Sequence, residues 1–438
     1  MTPEQIAGLG TALSQFLRSF HGCFFECRLL NHFDVYCRGL LSDLGRKSVE
    51  PIALAAGNTV RALQLFLTQR VWDHGRLRDL LQQRVAQQHA PPPGQPHSVN
   101  DPGVIGLIDE TSAVKKGTET PGVQRQYCGA VGKVENCIVT VHLGYCHGDF
   151  KTLLDSELFL PESWSDDRDR CAEADIPDEV VYRPKTAIAI ELVKHALGNG
   201  IRFDWIVFDE GYGKNPAFLF DLDALGQVWI GEVPKIFRCW PTLPKYHSQR
   251  KEFASKEVQN VVRWSPAFIY QEWQSFSVAS ETTGPVVWDI KAAQVHLAKG
   301  GYPTDRTYWL IVAWNRQTDE YKYFVSNAPP TTALDLLLRV AFRRAKIEHL
   351  FRIVKGEVGF THFEGRSYVG LMRHMILCQT VLLFLAEQAK RLALPGEADP
   401  KPGSDQPGPT VFEQRGKKTA SHDGATGRGA QSALYPLA

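Results

Sequence analysis

The chain has 438 residues, 43% of them hydrophobic, and a formal net charge of +1. That leaves room for two or three domains around a large core, and so even a balance excludes a protein that binds polyanions through its whole surface. Nine cysteines, an odd number without Cys-x-x-Cys spacing, exclude a disulfide scaffold and point to reduced thiols in the cytosol. Cys23 and Cys27 lie near His21 and His32, but no second compact ligand pair follows, so buried helix cysteines are expected and not zinc. The N-terminus lacks a basic segment followed by an apolar one, which speaks against a signal peptide. The run Met375 to Ala386 is too short to span a bilayer and contains Gln379, so no membrane partner is expected.

Residues 1–89 read as a helical domain: Leu13, Phe16, Leu17 and Phe20 recur at helical spacing, as do Leu63, Phe66 and Leu67, and Asn58–Thr59 suits a helix N-cap. A Pro-rich linker follows within 90–103. Val104 to Ile108 is a short apolar run that ends on Asp109, as a buried strand delivering a carboxylate at its carboxyl end would, with Glu110–Thr111 and Lys115–Lys116–Gly117 continuing as a loop. Three β-rich runs from Gln126 to Leu160 predict an antiparallel pair or meander, and Thr186 to Leu197 predicts a helix closed by Gly198–Asn199–Gly200. Trp205 to Asp209 repeats the theme of an apolar strand ending in aspartate, then come a Gly211–Tyr212–Gly213 turn, a helix over Pro216 to Leu225 and a strand from Val228 to Glu232.

Strands first, then helix–strand–helix–strand, predict an α/β mixed sheet flanked by helices. Its ligands would gather beyond the carboxyl ends of the parallel strands. Residues 104–234 form the first part of this core. Residues 235–333, with six tryptophans among β-rich runs, read as a β-rich insertion, and 334–394 as the last part of the core. That last part holds a helix from Thr332 to Lys355 and an amphipathic helix from Tyr368 to Leu394, and 395–438 read as a disordered tail.

On the first of those helices, Arg344, Glu348 and Lys355 fall within roughly 40° around the axis at about 100° per residue. Ile347, Leu350 and Val354 occupy an adjoining arc that can enter a core. Asp109, Asp209 and Glu348 thus form a set of three carboxylates. Taken singly, an aspartate at a strand end is more often a turn or cap residue, and such a charged helix face is more often solvated. Gathered together, carboxylates repel unless cations neutralise them, and Mg²⁺ takes such oxygen ligands together with phosphate oxygens. Two ions can stabilise both oxygens of an in-line displacement at phosphorus, with Arg344 and Lys355 holding nucleic-acid phosphates. Glu110 and Glu210 are rivals by position, and the aspartates are preferred because each ends its apolar run.

The order Asp109, Asp209, Glu348 on this topology resembles the RNase H-like DDE transposases, and the text around these residues resembles insertion-sequence family seven-hundred-and-one. The matching stretches are Arg46 to Pro51, Ile108 to Thr111 with Lys115 to Gly117, Arg125 to Gly129, Leu160 to Trp164, Asp209 to Gly213, Ile347 to Phe351 and Phe363 to Ser367. The resemblance spans about residues 20–390. It implies an RNase H-like core, a DNA-binding N-terminal domain, and a Mg²⁺-dependent enzyme using two ions, with Mn²⁺ able to substitute. It further implies cut-and-paste transposition at terminal inverted repeats, with double-stranded transposon ends and target DNA as partners. A dimer assembled on DNA and a place in the bacterial cytoplasm with the nucleoid are the corresponding expectations. A related hairpin-forming group carries a Tyr-Arg-Glu-Lys signature: Arg344, Glu348 and Lys355 match three of its members, and the tyrosine position holds Ala341. Lys115, Lys116 and Arg366 are further candidates for phosphate contacts. An aromatic residue of the insertion could stack on an extruded base. The alternatives are a catalytically inactive, transposase-derived DNA-binding protein and, in another class, a carboxylate-pair glycosidase.

Overall fold

The structure is a computed structural model that describes residues 3–91, 101–244, 254–278, 286–343, 350 and 356–392. Five helices come first: α1 (Pro3–Arg18), α2 (Cys27–Leu41), α3 (Val49–Ala55), α4 (Val60–Thr68) and α5 (His74–Gln88). Strands β1 (Val104–Val114), β2 (Gln124–Cys128), β3 (Lys133–His147) and β4 (Phe150–Leu158) follow. Two short helices, α6 (Glu162–Ser165) and α7 (Arg168–Glu173), lead to α8 (Lys185–Gly198). Next come β5 (Trp205–Phe208), α9 (Glu210–Gly213), α10 (Pro216–Ala224) and β6 (Trp229–Val233). The remaining strands are β7 (Arg238–Trp240), β8 (Lys256–Glu257), β9 (Gln274–Val278), β10 (Val286–Lys299), β11 (Tyr302–Pro303), β12 (Tyr308–Asn315) and β13 (Glu320–Ser326). Among them lie α11 (Val258–Trp264) and α12 (Pro266–Ile269), and after them α13 (Leu334–Phe342) and α14 (Tyr368–Leu392).

Among the described residues the strands form one mixed sheet in the order β2-β3-β1-β5-β6-β13-β12-β10-β7-β8, with β4 beside β3 and β9 and β11 beside β10. Only β1, β5 and β6 run parallel to one another. The arrangement β4-β3-β1-β5-β6, three antiparallel strands continued by two parallel ones, is consistent with the RNase H-like core expected from the sequence. The β-rich stretch after residue 235 extends this sheet, because β13 pairs antiparallel with β6.

Two expectations need correction. β1 does not stop at Asp109: its antiparallel pairing with β3 continues to Val114, so Glu110 and Thr111 are strand residues. The C-terminal helix is not amphipathic, since every residue from Tyr368 to Phe384 is buried except half-buried Val369. It is 25 residues long and apolar enough by length and composition to cross a membrane, longer than the run read from sequence, but 83% of its most apolar window is buried inside the protein. Burial on this scale marks it as a core helix. α2, α4, α5 and β4 all pack on it. Several of its polar residues find partners there: His374 Nδ1 meets the Tyr36 hydroxyl at 2.9 Å, and Gln379 donates to Ser156 Oγ at 2.6 Å.

Alternate residues of β4 face opposite sides of the sheet. Ser156 bonds to α14, whereas Asp155 receives Arg78 of α5 through Nε at 2.5 Å and Nη2 at 2.7 Å, and His195 of α8 at 2.7 Å. His195 in turn meets Asp79 at 2.7 Å. Burial would raise the Asp155 pKa, but the Arg78 charge and the bonds from His195 and Arg78 hold it below the usual carboxylate value. The hydrogen bond that His195 makes to Asp155 raises its own pKa. The Asp155 contribution to stability is therefore present above the unfolded carboxylate pKa and lost as pH falls through its depressed folded value. The His195 contribution is complete below the unfolded imidazole pKa and lost as pH rises through its raised one. Arg78→Met leaves Asp155 without its cation and should cost about 3–5 kcal/mol in urea denaturation at neutral pH. An unchanged midpoint would show that the pair does not tie α5 to the sheet.

Candidate functional site

The parallel register pairs Ile105 with Trp205 and Leu107 with Val207, where the β1–β5 ladder ends. The same register continued two residues past the ladder brings Asp109 and Asp209 to corresponding positions on the two neighbouring segments. Asp109 lies inside β1 but past its last parallel partner. Asp209 directly follows β5 and caps α9, accepting from the Tyr212 amide at 3.2 Å. The turn after it is tight because α9 lies against β6: a Cβ on Gly213 would sit 2.0 Å from the Glu232 carbonyl oxygen.

The pleat separates Asp109 from its rival. Asp109 lies directly across from His142, which lies across from Ser156, so these three share one face. His142 is fully buried, with Nε2 at 2.8 Å from Thr140 Oγ1 and Nδ1 at 2.6 Å from Ser156 Oγ. Glu110 points to the other face and forms an ion pair with Lys185 of α8 at 2.8 Å. Glu210 is exposed on α9.

Tyr212, quoted from the sequence only as part of a turn, has a buried hydroxyl without a hydrogen-bond partner among the described residues. Burial holds this phenol far above the usual tyrosine range, and Glu110, Asp109 and Asp209 add to the effect. The nearby carboxylates thus concentrate negative charge around a neutral, buried hydroxyl. Carboxylate oxygens are the donor type that a divalent cation takes, although among the described residues no group of three or more His, Cys, Asp or Glu side chains is gathered to hold one. Tyr212 carried no chemical signal in the sequence, because a tyrosine between two glycines reads as turn filler.

Glu348, Arg344 and Lys355 lie outside the described residues. Ala341, at the signature tyrosine position, is buried on α13. Lys116 and Arg366 are exposed. Lys115 is half-buried and donates to the Phe363 carbonyl at 2.6 Å, and burial pulls its ammonium down to about 8. Lys47 is buried and donates to the carbonyls of Leu40, at 2.8 Å, and Glu357, while Arg46 pairs with Glu364. The Arg46–Lys47 motif and the end of β1 therefore both hold the segment 357–364. Among the insertion's tryptophans, Trp240 and Trp288 are buried and Trp273, Trp309 and Trp314 half-buried. Trp264 is 66% exposed and lines a groove of about 440 Å³ with Arg238, Ser255, Lys256, Glu257 and Asn260.

The chain belongs to the DDE superfamily endonucleases, whose family model matches residues 19–285. It is also 32% identical, over 251 residues, to the probable transposase for insertion sequence element IS701 of Microchaete diplosiphon. That alignment takes in 56% of this chain and spans 60% of the length of the relative. The family match includes Asp109 and Asp209, and Glu348 lies beyond it.

Removing an unpaired buried hydroxyl is neutral or stabilising by up to ~1 kcal/mol. Tyr212→Phe should therefore leave the thermal midpoint unchanged or raised when measured in chelator. A clear fall would mean that the hydroxyl has a partner within the protein.

Proposed function

We propose that this protein is a transposase that excises a DNA element at its terminal inverted repeats and inserts it elsewhere. The observation that carries the reading is the level placement of Asp109 and Asp209 beyond the β1–β5 ladder, in a chain of the DDE endonuclease family. Asp109, Asp209 and Glu348 would hold the metal, two Mg²⁺ ions with Mn²⁺ able to substitute. The chemistry these ions would supply is charge stabilisation at the attacking and leaving oxygens of a displacement at phosphorus.

In the first reaction, water attacks a phosphodiester at the element's end; one phosphorus–oxygen bond forms, another breaks, and a 3′-hydroxyl leaves. That hydroxyl then attacks the opposite strand, through a hairpin, and later target DNA. The chain's own part is to bind and orient. Arg344, Lys355, Lys116 and Arg366 hold phosphates. Lys115, although also a phosphate candidate by sequence, anchors the segment 357–364 through the Phe363 carbonyl. Trp264, exposed and in cation–π contact with Arg263 at 4.8 Å, is the tryptophan best presented for stacking on an extruded base.

Residues 1–89 then serve DNA binding, 104–234 and 334–394 form the catalytic core, and 235–333 interrupt it. The protein works as a dimer assembled on DNA, in the cytoplasm with the nucleoid. Asp109→Asn, Asp209→Asn and Glu348→Gln should each reduce Mg²⁺-dependent cutting of a labelled duplex carrying the element's ends to background, while gel-shift affinity for that duplex persists. Cutting by the triple variant would refute the assignment. Loss of binding by all three would instead favour a structural role for the carboxylates.

A further inference from the structure

Residues 357–364 form neither helix nor strand, and bonds from outside hold them in place. On the helical side, Lys47 donates through Nζ to the Glu357 carbonyl and through its amide to His362 Nδ1 at 3.0 Å. Gly359 has a φ of +71°, a left-handed conformation open to glycine, and a Cβ there would sit 2.6 Å from the Lys47 Cβ. From α14, His374 Nε2 meets the Gly359 carbonyl at 3.1 Å and Cys378 donates to the Val358 carbonyl at 3.6 Å. On the sheet side, Lys115 Nζ donates to the carbonyls of Thr361 and Phe363 at 3.4 and 2.6 Å.

Lys115 and Asp109 share a strand and a face. The Lys115 amide donates to the Asn136 carbonyl at 2.9 Å, which carries the β1–β3 pairing one step past Val114. That pairing runs in unbroken register, so Asp109, Thr111, Ala113 and Lys115 alternate to one side. The same side carries His142, across from Asp109, and Phe360 packs edge-on against its ring with centroids 5.2 Å apart. Val358, Phe360 and Phe363 are buried. The segment therefore lies as a strap on the face of the sheet that carries Asp109, tied to β1 by Lys115 and to the helical part by Lys47.

We propose that this strap positions Asp109 for a cation, with Lys115 as the positioning residue that keeps it closed and Phe360 as the contact that passes its position, through His142, to Asp109. A carboxylate binds a cation tightly when its neighbours fix its orientation, and loosening groups that only orient a ligand weakens metal affinity about tenfold or more. The ammonium of Lys115 bridges two carbonyls of the strap, which gives the closed position a definite geometry. Glu348 precedes the strap in the chain, so the same clamp fixes one end of the stretch that carries the third carboxylate. The inference rests on the metal reading above and gives Lys115 a task other than phosphate binding.

Mn²⁺ binding to the full chain without DNA, followed by loss of the free-ion electron paramagnetic resonance signal, tests this. Lys115→Met and Phe360→Ala should each weaken binding about tenfold or more. Lys115→Arg keeps a cation that can reach both carbonyls and should bind Mn²⁺ as the wild type does. Gel-shift affinity of Lys115→Met for DNA should match the wild type. Hydrogen exchange in chelator reads the coupling without any metal: Lys115→Met should speed exchange in the strap and in peptides over residues 107–111 and 140–144, with α8 and β12 unchanged. Faster exchange confined to the strap, or spread equally to α8 and β12, would overturn the proposal. So would equal loss of Mn²⁺ binding in the Met and Arg variants, or a loss of DNA affinity with Mn²⁺ binding intact. A wild type that binds no Mn²⁺ would refute the metal site itself, whereas a wild type and a Lys115→Met variant that bind it equally would refute the strap alone.

Discussion

The structure turns on the double pairing of β1. One edge runs antiparallel to β3 over eleven residues and the other parallel to β5 over three. The short ladder sets two aspartates level where it ends, and the long one keeps the first of them on a stiff strand. Asp209 is fixed there by capping α9, which presses onto β6, and Tyr212 is buried close by. On the proposed function, a cation shared by the two carboxylates would offset their mutual repulsion.

The rest of the core keeps that strand from moving. β4 is covered on both faces, by α5 and α8 through Asp155 and by α14 through Ser156. The N-terminal helices are part of this frame, because α2, α4 and α5 pack on α14 and their apolar residues join the same hydrophobic core as the sheet. Lys47 and Lys115, from opposite ends of that frame, both donate to carbonyls of the segment 357–364. On the proposed function, holding DNA while acting on it would gain from helical and sheet parts that share one core.

Much of the sheet was legible in the sequence, because apolar runs bounded by glycine and aspartate leave a clear trace: β1 and β5 begin where their runs begin, and β6 one residue later. The far half of β1 was not, since Glu110, Thr111 and Ser112 look like a loop, and only β3 as a partner makes them a strand. The C-terminal helix misled for the opposite reason. Arg373, His374, Gln379 and Thr380 mimic a polar face, yet each is buried and bonded to a carbonyl, hydroxyl or neighbouring backbone. For the candidate site, Asp109 and Asp209 were readable from their positions, and the pleat that turns Glu110 toward Lys185 was readable once the strand continued. Tyr212 and His142 were not, because burial next to carboxylates is a property of the packed sheet. Glu348 rests on helical spacing and family resemblance.

The central claim is that Asp109, Asp209 and Glu348 share one metal site, and metal-directed cleavage of the polypeptide tests it without any DNA. Fe²⁺ with ascorbate and peroxide generates hydroxyl radicals where the ion is held, and fragment masses report which backbone positions are near it. The expected result is three groups of cuts, around residues 109, 209 and 348, all suppressed together by Mg²⁺. Cuts near 109 and 209 without any near 348, or cuts that Mg²⁺ does not suppress, would contradict it.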